Sequence, residues 1–93
     1  MSRTEQSPLS WILYGTEHCH LCELAEHLLT EILGTHFSKV DIADSEDLTH
    51  HYGVRIPVLV ERVSGRELNW PFDSDTLGAF ISEVHLDENL SKL

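Results

Sequence analysis

The sequence predicts a small α/β domain in which a four-stranded mixed sheet carries helices on both faces. Three observations predict it. A short apolar run, Trp11 to Tyr14, passes through Gly15 into a segment of helical periodicity, a strand-to-helix junction. A second strand-like stretch and a short acidic-headed helix pattern follow between residues 37 and 52. Pro57-Val58-Leu59-Val60 and Glu67 to Trp70 then flank Ser64-Gly65-Arg66, a hairpin-turn composition, ahead of a last helical pattern. The order is β-α-β-α-β-β-α. The first β-α-β should be a right-handed parallel crossover, and the tight turn makes the last two strands antiparallel.

The elements follow in order. Residues 1–9 read as a loose arm ending at Pro8. Trp11 to Tyr14 is continuously apolar, as a strand buried on both faces would be, and Gly15 ends it. From about Cys19 to Leu33, Leu21, Leu24, Ala25, Leu28, Leu29 and Ile32 form an apolar helical stripe, with Glu23, Glu26, His27, Thr30 and Glu31 opposite. Gly34 suits the left-handed residue after a helix. Phe37 to Ile42 is a short strand with Val40 and Ile42 on one face. Asp44 or Ser45 caps the next helix, whose acidic start favours the positive end of its dipole. Leu48 and Tyr52 share a face there, and Gly53 stops it. Pro57 opens a strand, where its missing N–H is tolerated, and Glu67 to Trp70 returns at the sheet edge because Pro71 follows. Asp73 caps the last helix, with Leu77, Phe80, Ile81 and Val84 inward. The polar stretch from His85 to Leu93 is expected to fray, leaving 1–9 and 86–93 as loose ends of a single domain over 1–93.

Charge narrows the partners. The formal net charge is −10, and the six Lys and Arg residues make no tight cluster. Nucleic acid and anionic membrane surfaces, which need clustered cations, are excluded as partners. No apolar run approaches the ~20 residues that span a bilayer, and the first ten residues lack a signal-peptide core. The chain is expected to be cytoplasmic and monomeric. In a reducing compartment paired cysteines serve catalysis or metal binding more often than stapling.

The chemistry converges on Cys19-His20-Leu21-Cys22, which holds both cysteines. Thiol–disulfide exchange needs an attacking thiolate and a second thiol placed to resolve the mixed disulfide. Cysteines at i and i+3 opening a helix meet both needs, because unpaired N–H groups and the positive dipole end stabilise the first sulfur as S⁻. Cys19 is therefore assigned as nucleophile and Cys22 as resolving thiol. No Lys or Arg lies within fifteen residues of either cysteine, so His18 and His20 are the local candidates for tuning the thiolate, against Glu17 and Glu23.

These residues resemble glutaredoxins and thioredoxins, and most closely small bacterial glutaredoxin-like proteins carrying Y-G-x-x-x-C-x-L-C near the N-terminus. The matching pieces are Tyr14-Gly15, Cys19-His20-Leu21-Cys22, Val40-Asp41-Ile42 and Tyr52-Gly53-Val54-Arg55-Ile56-Pro57-Val58, spread over residues 11–84. The resemblance implies a thioredoxin-like fold of the glutaredoxin type and a role as thiol–disulfide oxidoreductase in cell redox homeostasis. It implies a Cys19–Cys22 redox disulfide, no bound cofactor, and a disulfide-containing protein or small thiol as partner. It also implies a cis Ile56–Pro57 bond facing the disulfide and a substrate groove at Ile56, Pro57, Arg55 and Tyr14. Departures touch glutathione. The family's Lys three residues before the first cysteine is Thr16 here, and its Gly-Gly turn before the last helix is replaced by Trp70-Pro71-Phe72-Asp73. Thioredoxin's Trp before the first cysteine is His18 here, its buried Asp is Leu13, and the segment from Gly53 to Pro57 is one residue shorter than usual. Glutathione, with two carboxylates, should bind such a site poorly, although it remains a candidate reductant.

Two other readings stay open on the residues. His18, Cys19, His20 and Cys22 offer zinc ligands, with His50-His51 as added donors, although no second ligand pair at zinc spacing exists. Alternatively the chain is a non-catalytic adaptor using Trp11, Trp70 and Phe72 as an interaction surface.

Overall fold

The computed structural model describes residues 10–91, and the predicted arm at 1–9 and the last two residues lie outside them. Strand β1 (Trp11–Gly15) is followed by helix α1 (His20–Leu33), strand β2 (Ser38–Asp41), helix α2 (Glu46–Tyr52), strands β3 (Val58–Glu61) and β4 (Glu67–Asn69), and helix α3 (Ser74–Ser91). The sheet order is β2-β1-β3-β4. β1 runs parallel to β2 and antiparallel to β3, and β4 is antiparallel to β3. The predicted mixed sheet therefore forms, with β1 and β3 at its centre.

Side-chain alternation divides the core between the two faces. Trp11, Leu13 and Leu59 pack with Ala25 and Leu29 of α1 and with Leu77, Phe80, Ile81 and Val84 of α3. On the other face Val58 and Val60 meet Ile42 and Tyr52, with Tyr14, Leu48 and Ile56 at the margin. β1 is not buried on both faces as its composition suggests: buried and half-buried residues alternate along it. The reason is that α2 is one short helix and shields its face less completely than α1 and α3 shield theirs.

The buried face of α1 also differs from the predicted stripe. Cys22, Ala25 and Leu29 point inward, whereas Leu21, Leu24 and Ile32 are 40–44% exposed. A broad apolar stripe does not say which of its edges meets the sheet. Small Ala25, fully buried, lets the helix lie close to the sheet.

Turns and caps explain the remaining boundaries. β2 stops at Asp41, whose carboxylate accepts the Ala43 N–H at 2.9 Å and turns Ile42–Asp44 into one turn of 3₁₀ helix. Ser45, not Asp44, caps α2 by accepting the Leu48 N–H at 3.3 Å. Gly34 adopts the left-handed φ of 63° predicted for it, but Gly53 stays right-handed and is needed for room, since a Cβ there would run into the Thr49 carbonyl oxygen. At the hairpin, Glu61 is buried, and one of its oxygens accepts the Ser64 N–H at 2.8 Å. Burial pushes this carboxyl up, but hydrogen bonds from Ser64, Val63 and Ser10 outweigh it and hold the group below its ordinary range.

β4 ends one residue before Trp70, and the Trp70–Pro71 peptide is cis. The Asp73 carboxylate caps α3 through the Thr76 N–H at 2.8 Å. The helical backbone of α3 is described to Ser91, beyond the His85 at which fraying is expected. Among the described residues no helix is long and apolar enough to cross a membrane.

Candidate functional site

The site is built where β1 gives way to α1. Three residues, Thr16 to His18, turn the chain, and His18 takes a φ of 61°, left-handed territory that histidine enters more readily than most side chains. Cys19 is then the N-cap of α1, extended at φ −109° and ψ 106°. Its Sγ occupies the place usually filled by a Ser or Asp oxygen and accepts the Cys22 N–H at 3.2 Å. Its carbonyl accepts the Glu23 N–H at 3.1 Å. One helical turn brings the Cα atoms of Cys19 and Cys22 to 5.2 Å, and their sulfurs are paired as a disulfide.

The two sulfurs have unequal surroundings. Cys19 is half-buried, whereas Cys22 is 8% exposed and faces Gly15. A Cβ on Gly15 would lie 3.0 Å from the Cys22 sulfur and 3.2 Å from its Cβ. Gly15 is thus required by the close approach of the second cysteine. Gly15→Ala is expected to destabilise the disulfide form by about 1–3 kcal/mol, the usual range for overpacking. The dithiol form, in which the Cys22 side chain can rotate away, should lose less. Urea unfolding of both redox forms checks this; equal losses would mean that the crowding is not at the sulfur.

A cavity of about 560 Å³ opens beside the disulfide. Its wall includes Cys19, Cys22 and His18, the carboxylates of Glu17, Glu23, Glu26 and Asp41, and one ammonium, Lys39. Lys39 pairs with Glu26 at 3.1 Å. A search along the sequence for nearby cations misses Lys39, because it arrives from β2. The parallel register Leu13↔Lys39 carries it to the site, and pairing of the first two strands with alternation along β2 is the signal that could have found it. His20, the first residue of α1, is exposed and stands outside the cavity wall.

The other predicted groove residues come from the end of β1 and from the segment before β3. Pro57 directly precedes β3, and the register Tyr14↔Val58 sets it at the Gly15 end of β1, on the side away from β2. The Ile56–Pro57 peptide is cis. Pro57 is fully buried, and Ile56 packs on the α2 face. Tyr14 stacks on Tyr52 with ring centroids 4.4 Å apart. Arg55 is bound to Glu67 at 2.9 Å, Asn69 at 3.3 Å and the His51 carbonyl at 3.4 Å, and stands 5.1 Å over the Tyr52 ring. Burial, and then the Glu67 charge, push the Tyr52 hydroxyl up. The structure therefore gathers Cys19, Cys22 and His18 at one cavity and leaves Tyr14, Arg55, Ile56 and Pro57 off its wall.

The residues behind the two alternative readings do not assemble. Among the described residues no group of three His, Cys, Asp or Glu side chains is arranged to hold a metal ion. His50 borders a different cavity with Glu46 and Asp47, and His51 lies 3.8 Å from Glu67. Trp11 and Phe72 are buried in the core and Trp70 packs against it, so the proposed interaction surface is interior packing.

Comparison with known proteins accords with this geometry. An X-ray structure of a structural genomics target protein from X. campestris is 40% identical, covering 78% of this chain and 96% of its own, with a TM-score of 0.73. A solution structure of that target gives 40% identity, coverage of 78% and 92%, and a TM-score of 0.70. A protein from Nitrosomonas europaea, solved by NMR, is 34% identical over 75% of this chain and 87% of its own, with a TM-score of 0.58. No curated protein matches. Residues 11–82 match the family model described as Glutaredoxin-like domain (DUF836). With that match across most of its length, a β2-β1-β3-β4 sheet of thioredoxin-like fold and a Cys19–Cys22 pair at the first helix, the chain belongs to the glutaredoxin-like domain (DUF836) family.

Proposed function

We propose that this protein is a cytoplasmic thiol–disulfide oxidoreductase in which Cys19 attacks and Cys22 resolves. The observation that carries the reading is the inequality of the two sulfurs: Cys19 is the more exposed and sits at the helix N-cap, while Cys22 is shielded against Gly15. The Cys19 thiolate attacks one sulfur of a substrate disulfide and forms a mixed disulfide, releasing the first substrate thiol. Cys22, after losing its proton, attacks the Cys19 sulfur and releases the second thiol. The substrate gains two electrons and two protons, and the protein is left with the Cys19–Cys22 disulfide. An external thiol reductant restores the dithiol by the reverse exchange.

Two influences on Cys19 oppose each other. The helix terminus and the Cys22 N–H favour the thiolate, while the carboxylates around the cavity disfavour it. A destabilised thiolate makes the dithiol the stronger reductant. Glutathione is a poor match, because Lys39 and Arg55 are both already paired to carboxylates and Thr16 replaces the family's lysine. Ile56 and Pro57 remain candidates for contact with an extended substrate at the other side of Gly15.

The test is a titration in glutathione redox buffers, read by thiol alkylation and mass spectrometry. A single two-thiol transition is expected, with a midpoint of roughly −230 to −270 mV, between the glutaredoxin and thioredoxin values. No glutathione adduct should accumulate on Cys19. Two thiols that stay alkylatable in every buffer would sink the proposal.

A further inference from the structure

Resting on the dithiol reading above, we infer that the site selects polypeptide disulfides whose cysteine is flanked by Lys or Arg, recognised by the carboxylates of Glu17, Glu23 and Asp41. These three belong to different segments: the turn before Cys19, the first turn of α1 and the end of β2. All reach the wall of the cavity that opens on the disulfide. Glu26 shares that wall but is paired with Lys39, the one ammonium among the lining residues. The side chains of Glu17 and Glu23 make no hydrogen bond or ion pair among the described residues. One oxygen of Asp41 accepts the Ala43 N–H and the other is left for a ligand.

The cavity thus offers uncompensated negative charge beside the sulfur that reacts. A concave wall with four carboxylates against one ammonium carries net negative charge, which raises the local concentration of oppositely charged partners although Glu17 and Glu23 are exposed. Its volume, about 560 Å³, is that of a pocket for a small group, with room for one long basic side chain beside the scissile sulfur. A guanidinium or ammonium there meets carboxylates held by the fold, whereas an acidic flank meets repulsion. Spread over three segments, the carboxylates suit a basic stretch of chain better than a single ammonium. The chemistry is the exchange already balanced above, and the charges govern which disulfide is presented to Cys19.

The test uses homodimeric disulfides of one short peptide with Lys, Gln or Glu on both sides of its cysteine. Each is mixed with pre-reduced full-length protein at low ionic strength, and acid-quenched single turnovers are read by alkylation. The Lys-to-Glu rate ratio of the wild type, divided by that of the Glu17→Gln/Glu23→Gln variant, cancels the thiol chemistry of the peptides themselves. That quotient is expected to be about five or more and to fall toward one as salt shortens the Debye length. Glu46→Gln/Asp47→Asn, which removes the same charge from α2, should leave the wild-type ratio unchanged. Equal wild-type rates for the Lys and Glu peptides would overturn the inference, as would equal loss of preference in both double variants, which would mean that net charge alone is at work. Failure of the folded, pre-reduced protein to reduce even the Gln peptide would instead sink the dithiol reading itself.

Discussion

Cys19→Ser is expected to lower the rate of disulfide reduction by on the order of 10³-fold or more, the scale for loss of an essential nucleophile. The loss should not come through unfolding. Cys19 is the N-cap of α1, and its sulfur accepts the Cys22 N–H; a serine hydroxyl is a better cap than a thiol. Cys22→Ser should behave differently. The exposed sulfur is retained, so the first attack proceeds, but nothing resolves the product. One substrate thiol per chain should accumulate on Cys19, visible as a mass increase that is reversed by a small dithiol. If Cys22→Ser forms no adduct while Cys19→Ser does, the roles are reversed and exposure does not govern which sulfur attacks.

Leu29→Ala should carry the largest cost to stability, about 2–5 kcal/mol, from lost transfer energy and the cavity left behind. Leu29 is fully buried in the cluster that joins α1 to β1, β3 and α3. Because domains of this size are stable by only about 5–15 kcal/mol, that change removes a large share of the total. Leu24, on the same helix but 41% exposed, should cost clearly less when cut to Ala, about 1 kcal/mol, since it keeps much of its surface in water and its truncation leaves no enclosed cavity. The pair also tests how α1 is rotated on the sheet. Urea unfolding of the dithiol form gives both numbers, and a Leu24→Ala cost equal to that of Leu29→Ala would mean that the helix faces the sheet differently.

Much of the site was legible along the chain because its chemistry is local. The spacing of Cys19 and Cys22, the strand before them and the helix after them fall within one strand-helix unit, where period and capping rules apply directly. The element order was legible for the same reason, since each strand or helix is announced by its own periodicity and turn residues. The misreadings occur where one element's surroundings decide. Ile42 belongs to the predicted strand by pattern, yet Asp41 caps a turn and takes it out of the sheet. Leu21, Leu24 and Ile32 belong to the apolar stripe by period, yet the sheet receives Cys22, Ala25 and Leu29. Arg55 belongs to the expected substrate groove by resemblance, yet Glu67 on β4 engages its guanidinium.

The sequence by itself determined the fold class, the family likeness and the pair of sulfurs, because these depend on residue order and short spacings. Tertiary structure alone decided the environment of those sulfurs. Parallel pairing brings Lys39 and Asp41 beside a disulfide some twenty residues away, and Gly15 leaves the space into which Cys22 is pressed. The physical reason is that charge and packing act through space, over several ångströms and across strands. Covalent spacing and helical period act along the chain, which is the only direction a sequence displays.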